Sequence, residues 1–294
     1  MIKMIEKMFA KIIKNKFEKN YIYTPYVENV TGIYDIFYSE SKDAYQSLDV
    51  YYPKETKNKL PIIFNVHGGA WVACDKNMNR AYSEYLAGFG YCVVNMSYRL
   101  LPKTDIYGQL EDVKNAIAYT MKNIDLPCMD KDKIILMGDS AGAHIASVLY
   151  CMYEKNEPKT LPIKALVLQN MVCDLSDFLG SGKWLIKKFC KLLYGKKKAS
   201  EYENISFLGL VDEKIDKIPV FIVGSENDPL YFQTKKMQEY LKQNGWETSS
   251  VIWKKEDGAE LGHVFQVSHP LWPQSQKTHE KMFDYLKEVL HREN

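Results

Sequence analysis

The chain has 294 residues, 46% hydrophobic and 26% charged, with a formal net charge of +2. That composition supports a sizeable globular core. The near-neutral balance argues against a nucleic-acid or strongly acidic partner. Six cysteines are scattered without a C-x-x-C pair or a zinc-like His/Cys spacing. Cys92, Cys151 and Cys173 lie in or beside apolar runs, as buried reduced thiols do. No apolar run approaches the roughly 18 residues of a membrane span, and no leader pattern opens the sequence, so a cytoplasmic setting is expected.

In chain order, Met1 to Lys14 is a lysine-rich amphipathic segment with helical spacing. A helix packed over the body is the preferred reading, and peripheral membrane contact the lesser one. Residues 33–38 and 47–52 alternate apolar and polar as strands do. Leu60 to Val66 is a nearly continuous apolar run, suited to a strand covered on both faces, and it ends in His67-Gly68-Gly69-Ala70-Trp71. A helix is predicted over 78–89, a strand over 91–98, and an amphipathic helix over 106–122.

The strand Ile134 to Met137 then meets Gly138-Asp139-Ser140-Ala141-Gly142, followed by a helix-compatible run. Further strands are predicted at 163–169, 218–223 and 248–253, with helices at 234–244 and about 274–291. The alternation predicts an α/β fold with a mostly parallel sheet of about eight strands and helices on both faces. The whole chain, 1–294, reads as one domain. Segments 1–32 and 174–217 fall outside the rhythm and are candidates for a small cap. The second contains a basic stretch, 183–198.

Four strand ends carry residues with chemical potential, and strand ends are where open α/β sheets bind ligands. Gly-Asp-Ser140-Ala-Gly is G-x-S-x-G in its required strand–turn–helix context, which presents a serine hydroxyl clear of the chain. The His67 turn can aim backbone N–H groups of Gly68, Gly69 and Ala70 at an oxyanion, joined by that of Ala141. Asp228 follows strand 218–223, and His263 follows strand 248–253. The order Ser140, Asp228, His263 is that of α/β-hydrolase triads: nucleophile, orienting acid and general base. Competing acids are Asp174 and Glu226. The competing base is His269; His67 sits in the donor turn and His144 one turn past Ser140. His279 and His291 on the last helix are read as exposed.

With these pieces in place, the chain resembles an α/β-hydrolase of the hormone-sensitive lipase-like carboxylesterase family. The matching motifs are Leu48-Asp49-Val50-Tyr51 with Pro53, His67-Gly68-Gly69-Ala70-Trp71, Tyr98-Arg99-Leu100 with Pro102, Leu110-Glu111-Asp112, Gly138-Asp139-Ser140-Ala141-Gly142, Asp228-Pro229-Leu230 and His263-Val264-Phe265. They run in the family's order over about 48–265. The resemblance implies hydrolysis of carboxylic esters through an acyl-enzyme, with no metal or organic cofactor. It places the hole's donors at Gly69 and Ala70. Trp71, read as a pocket residue, the aromatic-rich cap candidates and the lack of a lipase-like surface patch favour a small, short-chain ester. Two departures stand out: the family's third glycine is Ala70, and its later glycine is Cys74. The same triad in an arylformamidase- or peptidase-like amide hydrolase, and a non-catalytic binding protein, are the alternative readings. Physiological substrate and oligomeric state are not legible.

Overall fold

A computed structural model describes residue 11, residues 27–156, 160–179, 193 and 205–292. The expectations for Met1 to Lys14 and for the basic stretch 183–198 lie outside the described residues, apart from Lys11 and Leu193.

Eight strands form one sheet in the order β1-β2-β4-β3-β5-β6-β7-β8. They are β1 (Val30–Phe37), β2 (Ser47–Pro53), β3 (Leu60–Val66), β4 (Cys92–Met96), β5 (Met129–Asp139), β6 (Ile163–Gln169), β7 (Val220–Ser225) and β8 (Thr248–Trp253). β2 pairs antiparallel with both β1 and β4, and every pairing from β4 through β8 is parallel. The main helices are α1 (Arg80–Gly88), α2 (Ile106–Asn123) and α3 (Ala141–Asn156). Two short turns of helix follow, α4 (Ser176–Leu179) and α5 (Phe207–Leu210), then α6 (Tyr231–Gln243), α7 (Phe265–Ser268) and α8 (Pro273–His291).

The apolar runs of the central strands are continuous because both faces are covered. Successive side chains of a strand point to opposite faces. Ile62, Phe64, Ile134 and Leu136 therefore pack with α2, α3 and α6, while Ile63, Ile135 and Met137 pack with α1 and α8. Local signals set the ends of the helices. Asp105 caps α2 by accepting from Gly108 N at 3.1 Å, and Pro273 opens α8, where a missing N–H costs nothing.

Several predicted boundaries moved. The helix expected at 78–89 is a 3-10 turn at Lys76–Asn79 followed by α1. β5 begins at Met129, well before the apolar run, because it continues alongside β3. Of segment 174–217, the described Leu175, Ile205, Phe207 and Ile215 are all buried in the main core. Phe207 contacts Trp246 edge-on, with ring centroids 5.6 Å apart.

The seam between β3, β5 and α3 is where glycine is required. A Cβ at Gly142 would stand 2.0 Å from Val66 O, and one at Gly138 would stand 2.4 Å from Gly142 C. These approaches involve backbone on both sides, so nothing can swing away. Gly142→Ala is expected to cost about 3 kcal/mol or more, at the upper end of overpacking penalties. Denaturant unfolding of the variant against the parent measures it, and an unchanged midpoint would contradict this packing.

Candidate active site

The sharp turn from β5 into α3 places Ser140 in the left-handed region, at φ +52°. A serine rarely adopts this conformation. It is held from both sides: Ser140 N donates to Gln169 O at 2.8 Å, and His144 N donates to Ser140 O at 3.2 Å. The hydroxyl is thereby turned out of the helix.

His263 arrives on the loop after β8. Its Nε2 lies 2.9 Å from Ser140 Oγ, and its Nδ1 lies 2.9 Å from Asp228 Oδ1. The next residue, Val264, is at φ +53°, a costly conformation for a β-branched side chain. Asp228 is buried and accepts three hydrogen bonds. Oδ1 takes His263 Nδ1–H and Leu230 N at 2.8 Å, and Oδ2 takes Asn170 Nδ2 at 2.6 Å. Asn170, at φ +48°, directly follows β6 and is held in turn by Gln266 Nε2 at 3.0 Å from its Oδ1. Sequence reasoning passed over both amides. The signal available was an asparagine directly after a strand, a residue that tolerates the left-handed region.

The competing residues are elsewhere. Asp174 is tied to Lys236 at 2.7 Å and to Ser176 Oγ at 2.5 Å. Glu226 accepts from Lys255 N at 3.2 Å on the surface. His269 stacks on Trp272 with centroids 4.0 Å apart. His279 corrects the sequence reading: α8 turns it inward, 1% exposed, against Tyr82 and Tyr85 at 5.3 and 5.0 Å. An amphipathic helix buries whichever face meets the sheet, and position 279 is on that face.

The loop after β3 is strained along its length. Gly69 sits at φ +115°, Ala70 at +50°, Trp71 at +60° and Cys74 at +70°. The two positions where this sequence departs from the family's glycines thus keep the glycine-like conformation. Each non-glycine residue there costs on the order of 1–3 kcal/mol and persists only where its surroundings dictate it. The surroundings do. Trp71 O accepts from Leu101 N at 3.0 Å and Gln109 Nε2 at 2.8 Å. Lys76 anchors the far end through Ser97 Oγ at 3.0 Å and through a buried pair with Asp49 at 2.6 Å.

Asp139 ties this loop to the elbow. Its Oδ2 accepts Gly68 N at 3.1 Å and its Oδ1 accepts Asn79 Nδ2 at 2.7 Å. Burial raises its pKa to about 6, against those hydrogen bonds and the nearby His263, which lower it. One expectation fails here: the Gly68 N–H is spent on Asp139 and cannot face an oxyanion. The N–H groups of Gly69, Ala70 and Ala141 have no protein partner among the described residues.

The BD-FAE family pattern matches residues 48–241, well over half of the chain. The chain belongs to the BD-FAE family. Among characterised structures it is similar to a C6-C4 SN3 inhibited esterase B from Lactobacillus rhamnosis. That likeness is 26% identity at a TM-score of 0.90, covering 98% of this chain and 96% of that one. Among sequences, it is 27% identical over 231 residues to the putative alpha/beta hydrolase R526 of Acanthamoeba polyphaga mimivirus, covering 74% of this chain and 65% of that protein. It is 28% identical over 211 residues to an arylesterase of Saccharolobus solfataricus, covering 68% of each. The chain spans just under two thirds of the viral protein's length, and about a quarter of the plant methylesterases that it also matches. The sheet order and helix placement of this BD-FAE chain are those of an α/β-hydrolase. No described helix is long and apolar enough to cross a membrane.

Proposed function

We propose that this BD-FAE chain is a serine carboxylesterase acting on small, short-chain esters. The observation that carries the reading is the line of two 2.9 Å contacts from Ser140 Oγ through His263 to Asp228, beside three backbone N–H groups with no partner among the described residues. The esterase B and arylesterase likenesses point the same way.

In this reading Ser140 Oγ attacks the ester carbonyl carbon as its proton passes to His263 Nε2. Asp228 accepts the Nδ1–H bond and stabilises the imidazolium that forms. The carbonyl oxygen becomes an alkoxide facing the N–H groups of Gly69, Ala70 and Ala141. Such donors act strongly because they are already aimed before charge develops. Collapse expels the alcohol, which takes the proton from Nε2 and leaves an acyl-Ser140. Water, deprotonated by His263, then releases the acid. Trp71 forms part of the wall of this site.

Ser140→Ala decides the matter. Hydrolysis of p-nitrophenyl butyrate is expected to fall by about a million-fold in kcat, the scale seen on removing a triad nucleophile. Labelling by a fluorophosphonate probe is expected to vanish with it. A variant that hydrolyses at the parent rate would refute the assignment.

A further inference from the structure

We propose that His144 is a positioning residue, clamping the loop that presents the oxyanion donors to both the elbow helix and the backbone at Ile205. The inference rests on the esterase reading above and adds to it a residue outside the triad.

His144 is on the first turn of α3 and fully buried. Both of its ring nitrogens are used. Trp71 Nε1 lies 3.3 Å from Nδ1, and Nε2 lies 2.7 Å from Ile205 O. An indole nitrogen only donates and a carbonyl only accepts. The two partners therefore specify one neutral tautomer, with the proton on Nε2. The Trp71 indole also meets the imidazole edge-on, with centroids 5.3 Å apart. Burial lowers the pKa of His144 to about 4, so this tautomer is the one present at neutral pH.

The reason such a clamp matters lies in the neighbouring backbone. Trp71 directly follows Ala70, and both are held at positive φ, at +60° and +50°. Without restraint the pair relaxes toward ordinary backbone, and the Ala70 N–H swings off the position an oxyanion occupies. Leu101 and Gln109 hold the Trp71 carbonyl, but His144 is what hydrogen-bonds its ring. Through Ile205 O the same imidazole also holds the backbone at residue 205. Ile205 is itself buried in the main core, so the clamp has a fixed footing on that side.

Three variants separate this role from ordinary packing. His144→Leu keeps volume and loses both hydrogen bonds. His144→Gln retains one donor and one acceptor on a planar group. Trp71→Phe removes the indole N–H together with the bulk of the second ring. Steady-state kcat and KM for p-nitrophenyl acetate and butyrate are measured for each and for the Trp71→Phe/His144→Leu double variant, with fluorophosphonate labelling of Ser140 alongside.

His144→Leu is expected to lower kcat about tenfold or more, less than loss of a donor outright, with KM changed less than about threefold. His144→Gln is expected to recover at least half of the logarithmic loss. Trp71→Phe is expected to lower kcat in the same direction, with the double variant no worse than His144→Leu alone, since interacting residues are not additive. A parent-like kcat in His144→Leu, equal losses for Leu and Gln, or additive losses in the double variant would each overturn the proposal. If His144→Leu does not fold, His144→Gln and Trp71→Phe still decide: parent-like kcat in Trp71→Phe overturns it. Failure of the parent itself to label or hydrolyse would instead sink the esterase reading.

Discussion

Asp228→Asn is expected to lower kcat for short-chain esters about ten-thousandfold, as loss of the acid's charge does in serine triads. The surroundings of Asp228 explain why asparagine is not a conservative replacement. All three of its partners donate: His263 Nδ1–H, Leu230 N–H and Asn170 Nδ2. A carboxylate accepts from all of them, but an amide has only one accepting atom. If the new amide turns its oxygen to His263, its NH2 meets the NH2 of Asn170. Asn170 cannot simply flip, because its own oxygen accepts from Gln266 Nε2 at 3.0 Å. If the amide turns the other way, its NH2 faces Nδ1, which must then give up its proton. The proton moves to Nε2, and the nitrogen 2.9 Å from Ser140 Oγ can no longer accept. Steady-state kcat on p-nitrophenyl butyrate, with circular dichroism as a check on folding, measures the loss. A fall of less than about tenfold would show that Asp228 does not orient the base.

Mild acid is expected to destabilise the fold steeply. Burial lowers the pKa of His67 and His144 to about 4 and that of His279 to about 3, against an ordinary value of 6.5. The unfolded chain takes up these protons below pH 6.5 while the folded one does not. Stability is therefore lost as pH falls from about 6.5 toward 4, and for His279 toward 3. At pH 5.5 each histidine costs about 1.4 kcal/mol, roughly 4 kcal/mol for the three. Asp139 works the other way. Its raised pKa lets the folded state bind a proton first between pH 6 and its ordinary 3.8, returning about 1 kcal/mol or less at pH 5.5.

Denaturant unfolding at pH 7.5 and 5.5 is expected to show a net loss near 3 kcal/mol, a large share of a typical domain's stability. His279 offers a clean test, since its ring sits among Tyr82, Tyr85 and Phe283 with neither nitrogen bonded among the described residues. His279→Phe is expected to shrink the acid loss by about 1.4 kcal/mol. Equal losses in variant and parent would mean that the buried ring is not held neutral.

What made the site legible was chemistry carried by short stretches. Gly138 and Gly142 announce a tight seam, and the seam is there, with β3 backbone 2.0 Å from where a Cβ would stand. Ser140 directly follows a recognisable strand, Asp228 and His263 lie in the loops after two others, and parallel strands deliver their carboxyl ends to one edge of a sheet. The α/β alternation was equally plain, because buried strands and amphipathic helices have different apolar periods.

The misses share a different cause. Gly68 stood in the donor turn like Gly69 and Ala70, but whether its N–H is available depends on Asp139, 71 residues away. Asn170 reaches Asp228 across 58 residues and is itself held by Gln266 across 96. His279 was misjudged because helical spacing shows that one face is apolar, not how wide a stripe the sheet will cover. By itself, then, the sequence determined the sheet-and-helix alternation, the elbow and the chain order of Ser140, Asp228 and His263, all set by local sterics and periodicity. Only the tertiary structure decided which N–H groups remain unpartnered, what holds each side of the Asp228 carboxylate, and which histidines are denied water. Those properties belong to pairs of groups, and the partners meet only when the sheet closes around them.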